Sequence, residues 1–357
     1  MQLFQDLLDR SKQFHQAPPQ PTMLHAQQGR YKIIHQAVKI PNLPAPLHYL
    51  NFYSLIGQPR APIFQQPHLH IEKPLQVATV LASSSMHSVG HFHAYDIRQD
   101  CVFSPQQFQF AKRERLTGQL PQLKLQRDDD ELSFDLNIHS LDLVSYFCQL
   151  RWSLGQYWSL PCQCQGTLTY KDQSYQIDQL GVLEHGRSID FSLLPLAFYV
   201  YQLIPLSNTQ QLIVMQLRDQ FNSILYSRLY LKDIATQQVQ IYDKNLSLYI
   251  QRVYPVVKTP NDQAMYLPRV WGWSLQQSDM HIEICTQSRG DFKFGLAAGF
   301  VGSFCYQVLI NGEKFVGEHG YCEYVDCRSL KYQELKQEHT QCNLAYNPTV
   351  IIAKKDN

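Results

Sequence analysis

The sequence predicts an all-β protein made of two antiparallel barrels in tandem, preceded by a short N-terminal helix. Three observations predict it. Phe304, Tyr306, Val308 and Ile310 alternate with Ser303, Cys305, Gln307 and Leu309, then meet Asn311-Gly312, a dipeptide strongly favoured in two-residue hairpin turns. The same pattern recurs earlier, over residues 166–188. Setting Glu184 against Glu323 aligns Gly181 with Gly320 and Ile177 with Val316. With a short insertion after the glutamate, both segments close on Arg-Ser, at Arg187-Ser188 and Arg328-Ser329, so the chain reads as a duplication. Third, strand-sized runs follow one another with no crossover helices between them, the pattern of antiparallel sheets closed or nearly closed into barrels.

Length and composition agree. A chain of 357 residues exceeds the roughly 250 to 300 at which one hydrophobic core stops growing. The expected division is a helix and connector over 1–30, a first barrel over 31–190, a second over 191–329 and a tail over 330–357. Hydrophobic residues at 44% and charged residues at 17% give a globular chain whose surface leans on neutral polar groups. The 31 basic and 30 acidic side chains leave no field to draw nucleic acid or an anionic membrane. The nine cysteines include no Cys-x-x-Cys pair, so most are expected as reduced, buried small hydrophobes. Met1 to Gln16 carries Asp6, Asp9 and Arg10 among its leucines, unlike a secretory signal, and no run of about 18 apolar residues occurs. The expectation is a cytoplasmic protein without stable membrane insertion; the oligomeric state is left open.

Taken in order, Leu3, Phe4, Leu7, Leu8 and Phe14 fall near helical spacing and predict an amphipathic helix over 2–15, ended by Pro18, Pro19 and Pro21. Strands are expected at 31–40, 47–56, 76–83, 87–97, 107–116, 131–139 and 143–152, before the first hairpin. The second half adds 198–204, 211–217, 224–231, 239–242, 246–257, 266–275 and 280–286, before the second hairpin. Asp128-Asp129-Asp130 lacks the spaced ligands and glycine of a calcium loop and reads as a solvated turn. Leu330 to Thr340 reads as a short helix.

Several stretches resemble the AttH and carotenoid 1,2-hydratase (hydroxyneurosporene synthase) superfamily. They are Gly166-Thr167-Leu168 running to Gly181-Val182-Leu183-Glu184-His185, Val200 to Leu203 with Met215 to Arg218, Leu267-Pro268-Arg269 to Trp273, and Gly320-Tyr321-Cys322-Glu323-Tyr324. The resemblance implies tandem lipocalin-like barrels and either a bound apolar molecule or hydratase, cyclase or isomerase chemistry on an isoprenoid-like double bond. Here Gly186-Arg187-Ser188 follows His185, where many relatives carry a tryptophan near the acid; this looks like a divergent branch.

A barrel of about eight strands encloses room for side chains or one small ligand. Trp152, Trp158, Trp271, Trp273, Tyr321 and His185 are the expected ligand-lining residues; the same tryptophans would equally serve to fill the barrels. Protonating an isolated double bond needs a carboxyl kept neutral by an apolar pocket, which makes Glu323 and Glu184 the candidate acids, with Asp326 within reach. The competing reading pairs each glutamate with the arginine a few residues on, Arg187 or Arg328. His68, His70, His87, His91 and His93 could place imidazoles on shared strand faces, but no carboxylate stands at ligand spacing in the second pair; neither a metal nor another cofactor is expected. Ser83-Ser84-Ser85 lacks a Gly-x-Ser-x-Gly elbow, and no phosphate-cradling glycine loop occurs. The preferred expectation is a binder of an apolar terpenoid, polyene or fatty acyl compound, with a filled, non-catalytic scaffold as the third reading.

Overall fold

The computed structural model describes residues 9–14, 18–66, 73–86, 92–191 and 194–329. The expected C-terminal helix and tail, most of the N-terminal helix, and His68, His70, His87 and His91 lie outside these residues. Within them the N-terminal segment shows a 3-10 turn at Ser11–Phe14.

The first sheet opens with β1 (Ile33–Ile40), β2 (Leu50–Ile56), β3 (Val77–Ser84) and β4 (Phe92–Asp96). A meander follows: β5 (Cys101–Ser104), β6 (Gln107–Phe110), β7 (Glu114–Gln119), β8 (Gln122–Arg127), β9 (Leu132–Ser140) and β10 (Ser145–Gln149). The long hairpin β11 (Gly155–Tyr170) and β12 (Gln173–Ser188) ends it. The second sheet repeats this plan with β13 (Phe198–Pro205), β14 (Gln210–Arg218), β15 (Ile224–Asp233), β16 (Gln238–Tyr242) and β17 (Leu246–Val253). A small separate pair, β18 (Val257–Lys258) and β19 (Ala264–Met265), precedes β20 (Pro268–Gln276), β21 (His281–Ser288) and β22 (Lys293–Leu296). The second long hairpin, β23 (Gly299–Ile310) and β24 (Glu313–Asp326), closes the set.

Strand order runs β4-β3-β2-β1-β12-β11-β9-β8-β7-β6-β5 in the first sheet and β16-β15-β14-β13-β24-β23-β21-β20-β17 in the second. The strands among the described residues pair antiparallel; one sheet is a nearly closed barrel and the other a half-barrel. In both, the opening strand returns to pair with the last, which brings β1 against β12 and β13 against β24. The duplication is therefore visible in topology. Asn311 (φ 49°) and Gly312 (φ 90°) both adopt positive φ, as a two-residue hairpin turn of the favoured hand requires.

Each sheet wraps its own core. Phe52, Phe108, Phe110, Trp158 and Leu183 belong to the first, and Phe198, Trp271, Trp273, Phe304 and Tyr324 to the second. A third buried layer joins the sheets, with Tyr49, Tyr53 and Val182 facing Tyr201, Leu203, Met215, Val301 and Tyr321. Close packing in the second barrel shows at Gly272, where an added Cβ would lie 1.9 Å from the Ile284 carbonyl oxygen and 2.5 Å from the Tyr249 hydroxyl.

Two expectations are corrected. The single strand expected over 107–116 is two strands, because the chain reverses at Ala111 to Arg113 with Ala111 at φ 49°. The strand expected over 246–257 stops at Val253. Among the described residues seven cysteines are free thiols, in line with the expectation that most are reduced, and Cys285 is disulfide-bonded.

Candidate functional site

The pairing of first and last strands places both glutamates at matching positions, Glu184 opposite Ala37 and Glu323 opposite Tyr201. Strand alternation then turns both side chains out of their barrels and into the layer between them. There they meet one lysine. The Lys39 ammonium stands 2.8 Å from Glu184 Oε2 and 2.9 Å from Glu323 Oε1, and all three side chains are at most 2% exposed.

Tyrosines add to the shell, while Glu184 Oε1 has no hydrogen-bond partner among the described residues. The Tyr157 hydroxyl donates to Glu184, Tyr199 donates to Glu323 Oε2 at 2.7 Å, and Tyr321 donates to Glu323 Oε1 at 2.9 Å. The Tyr201 ring lies 3.7 Å from the Lys39 nitrogen, a cation–π contact in a dry setting. Burial pushes the Glu184 carboxyl up, but the Lys39 ammonium, with His35 and their hydrogen bonds, outweighs it and holds the group at about 2. Burial first, then the neighbouring carboxylates, pushes the hydroxyls of Tyr157, Tyr199, Tyr201 and Tyr321 well above the usual tyrosine value. They remain donors at neutral pH. Glu184 as built accepts hydrogen bonds and gives up no proton.

The glutamate–arginine pairing expected from sequence does not form. Arg187 instead lies 4.5 Å over the Tyr31 ring. Arg328 makes a two-pronged contact with Asp326, Nε to Oδ1 and Nη2 to Oδ2, each at 2.8 Å, and its backbone N–H donates to the same carboxylate. Asp326 is thus capped and apart from the Lys39 cluster.

The ligand-lining candidates divide. Tyr321 belongs to the cluster. Trp271 and Trp273 are buried in the second barrel's core, and the Trp273 indole N–H is satisfied by Gln202. Trp158 and His185 are fully buried in the first barrel, their rings 5.3 Å apart. Trp152 is 72% exposed on a 3-10 turn. His93 lies against Arg113. No group of three or more metal-binding side chains occurs among the described residues.

Sequence reasoning missed Lys39, Tyr157, Tyr199 and Tyr201. It also missed a cleft of about 420 Å³ between the sheets, walled by Asp142 to Tyr146 on one side and Gln237 to Ile241 on the other, with Pro18 and Gln20 at its rim. Next to its wall, the Phe147 ring packs 4.9 Å from Tyr157 and 5.1 Å from Tyr230, so one aromatic layer separates the cleft from the glutamates.

A family model, described as a family of unknown function (DUF6670), matches residues 53–341, most of the chain and both sheets. The chain belongs to DUF6670. No curated protein matches it in sequence. Among solved structures, this DUF6670 chain is similar to an AttH-type protein of Nitrosomonas europaea. The likeness has 12% identity and a TM-score of 0.60, and covers 85% of this chain and 95% of that one. It is also similar to kievitone hydratase of Nectria haematococca, at 10% identity and a TM-score of 0.53, over 83% of this chain and 89% of that one. At such identities the likeness shows the fold, which is the AttH-like arrangement of paired lipocalin-like barrels. No helix among the described residues of this DUF6670 member is long and apolar enough to cross a membrane.

Proposed function

We propose that the protein binds an apolar small molecule, of the size and character of a terpenoid, polyene or fatty acyl compound, in the cleft between its sheets. The cleft itself carries the reading. Its volume of about 420 Å³ falls in the range of small-molecule sites, roughly 300 to 1,000 Å³. Leu143, Val144, Tyr146, Val239 and Ile241 supply apolar contacts, and Gln20, Asp142, Ser145, Gln237, Gln238 and Gln240 line the same cleft with polar groups in equal measure. Trp158, Trp271 and Trp273 fill barrel cores, which favours the seam over the cups.

The test is mass spectrometry of solvent extracts from purified protein, paired with Val239→Trp, which fills the cleft from a half-buried position. A stoichiometric apolar compound in the parent and its loss in the variant support the reading. An empty parent that also fails to take up retinol or a fluorescent fatty acid refutes it.

A second reading, hydratase, cyclase or isomerase chemistry, is favoured by the fold shared with a hydratase and by the phenol–carboxylate pairs one aromatic layer from the cleft. In it, a glutamate of the cluster must first take up a proton, because an isolated double bond needs a neutral carboxyl as its acid and the phenols, raised well above their usual value, are weaker donors still. Glu323→Gln separates the two: a binder keeps its ligand, whereas an enzyme keeps the ligand and loses product formation.

A further inference from the structure

The near balance of 31 basic and 30 acidic side chains holds for the chain as a whole and fails at one end of the first barrel. Three segments meet there. The Lys32 N–H donates to the Ser188 carbonyl, the Ile189 N–H to the Leu154 carbonyl, and Gly155 pairs with Ser188, which ties 25–34, 149–158 and 185–191 together. These segments carry Arg30, Lys32, Arg151 and Arg187 against Asp190. The neighbouring Asp9, bridged to Leu150, is already engaged by Arg228 at 3.5 Å and by the Ser11 hydroxyl at 2.8 Å. Two of the cations turn to a ring and a carbonyl instead of an acid. Arg30 donates to the Trp152 carbonyl at 2.6 Å and lies 6.0 Å from the Tyr31 ring, and Arg187 lies 4.5 Å over that same ring. The Arg187 Nε has no hydrogen-bond partner among the described residues.

Trp152 stands at the tip. It is 72% exposed, whereas the other three tryptophans are at most 1% exposed. The backbone is bent to present it: Trp152 and Ser153 both sit at φ 53°, in the left-handed region that a bulky residue enters only at a cost. Leu154, Ile189 and Phe191, on the same segments, are only partly covered. Strained display of a large apolar ring among uncompensated cations brings the folded chain nothing in water. An indole suits the boundary between headgroups and acyl chains, where its ring is apolar-solvated and its N–H meets polar groups, and basic side chains beside it are drawn to anionic lipids.

We infer that this end of the first barrel docks on the surface of an anionic phospholipid bilayer, with Trp152 entering the headgroup boundary and Arg30, Lys32, Arg151 and Arg187 meeting the lipid phosphates. Charge complementarity and shape select this partner. The apolar part is one protruding ring, and a fluid surface closes around it, whereas a protein would have to offer a matching pocket. The contact is peripheral and separate from the cleft between the sheets. A bilayer is nevertheless the phase in which an apolar ligand of that cleft would dissolve.

The experiment sediments the full chain with vesicles of phosphatidylcholine alone and of phosphatidylcholine mixed with phosphatidylserine, and follows tryptophan emission on binding. Phosphatidylserine should raise partitioning by about a hundredfold at low salt, about fivefold for each net positive charge at this end, and high salt should remove most of that gain. Trp152 emission should shift to the blue. Trp152→Ser should abolish the shift and weaken partitioning by about tenfold, the worth of one buried apolar side chain. Lys32→Gln combined with Arg151→Gln should cost about 25-fold on the mixed vesicles and leave the neutral ones unaffected. Val316→Ser, at a 66% exposed apolar position on the second long hairpin, should change nothing. Val239→Trp, which fills the cleft, should sediment like the parent, so docking and the cleft succeed or fail separately. Equal partitioning on the two kinds of vesicle would overturn the inference. So would binding without a blue shift, or binding that Trp152→Ser and the Lys32/Arg151 pair leave intact.

Discussion

Replacing Lys39 by Met is the sharpest probe of the seam between the barrels. At 2.8 and 2.9 Å, each carboxylate gains about 6 kcal/mol of Coulombic attraction at an effective dielectric of 20, set against a desolvation penalty of several kcal/mol per ion. Those terms nearly cancel while the cluster is whole. Without the ammonium, two carboxylates at 0% and 2% exposure have no counter-charge, and the cheapest escape is protonation. Raising a carboxyl from an ordinary 4.5 to above pH 7 spans about 2.5 pH units, which at about 1.4 kcal/mol each comes to about 3.5 kcal/mol. A proton shared between the two glutamates limits the second cost, so the variant should lose about 3 to 5 kcal/mol at pH 7.

The pH dependence gives the sign. In the parent, Glu184 is depressed, so its contribution is fully present above about 4.5 and is lost as pH falls towards about 2. In Lys39→Met the carboxyls are raised, so that variant regains stability as pH drops from 7 to 4.5. The gap between the two proteins should therefore narrow over that interval. Urea unfolding at pH 7.0, 6.0, 5.0 and 4.5, followed by tryptophan fluorescence, measures it. Adding Glu184→Gln and Glu323→Gln to Lys39→Met should restore most of the loss. A deficit below about 1 kcal/mol at pH 7, or one that does not change with pH, refutes this account of the cluster.

Other consequences are narrower. The Lys232 amine is fully buried with no hydrogen-bond partner among the described residues, and burial pushes it down to about 7 against the pull of Glu184. A lowered lysine makes the unfolded chain bind the extra proton, so stability should climb from pH 7 to 9.5; Lys232→Met should flatten that slope and gain about 3 kcal/mol at pH 7 in the same urea assay. Gly272→Ala forces a Cβ onto the Ile284 carbonyl oxygen and should cost about 3 kcal/mol, read as a drop in melting temperature of about 4 °C by calorimetry. Asp326→Asn breaks the charged fork to Arg328 and should cost about 1 to 2 kcal/mol by urea unfolding, with any bound ligand retained.

The strands were legible wherever alternation and turn residues agreed, as in 299–326, where apolar positions and Asn311-Gly312 give one answer. The meander β5 to β8 was only partly legible, because its strands are four to six residues long and too short to establish a period. The glutamates came from the internal repeat. Their expected arginine partners violate a rule the same pattern contains. Glu184 and Arg187 are three residues apart, and Glu323 and Arg328 five, so a strand sends each pair to opposite faces. Asp326 and Arg328, two apart, do pair. Lys39 was hidden by its setting: in Ile33–Ile40 a lone lysine reads as a solvent-facing position, and only the third layer, which no single strand reveals, buries it.

That layer also explains why the two copies cannot remain alike. The register that sets Ala37 opposite Glu184 and Tyr201 opposite Glu323 makes Lys39 the counterpart of Leu203, one turn of the alternation further along each opening strand. Two barrels meeting through equivalent faces bring equivalent residues together at the seam, so a carboxylate in one copy confronts a carboxylate in the other. A lysine in both copies would crowd two ammonium groups into the same space. A lysine in neither would leave two buried negative charges. One lysine, with phenols donating to Glu323 and to one oxygen of Glu184, is the smallest solution, and it requires the sequence of one copy to differ from the other at that position. The leucine at 203, rather than a second cation, is thus the expected mark of a duplicated module whose two faces became a single interface.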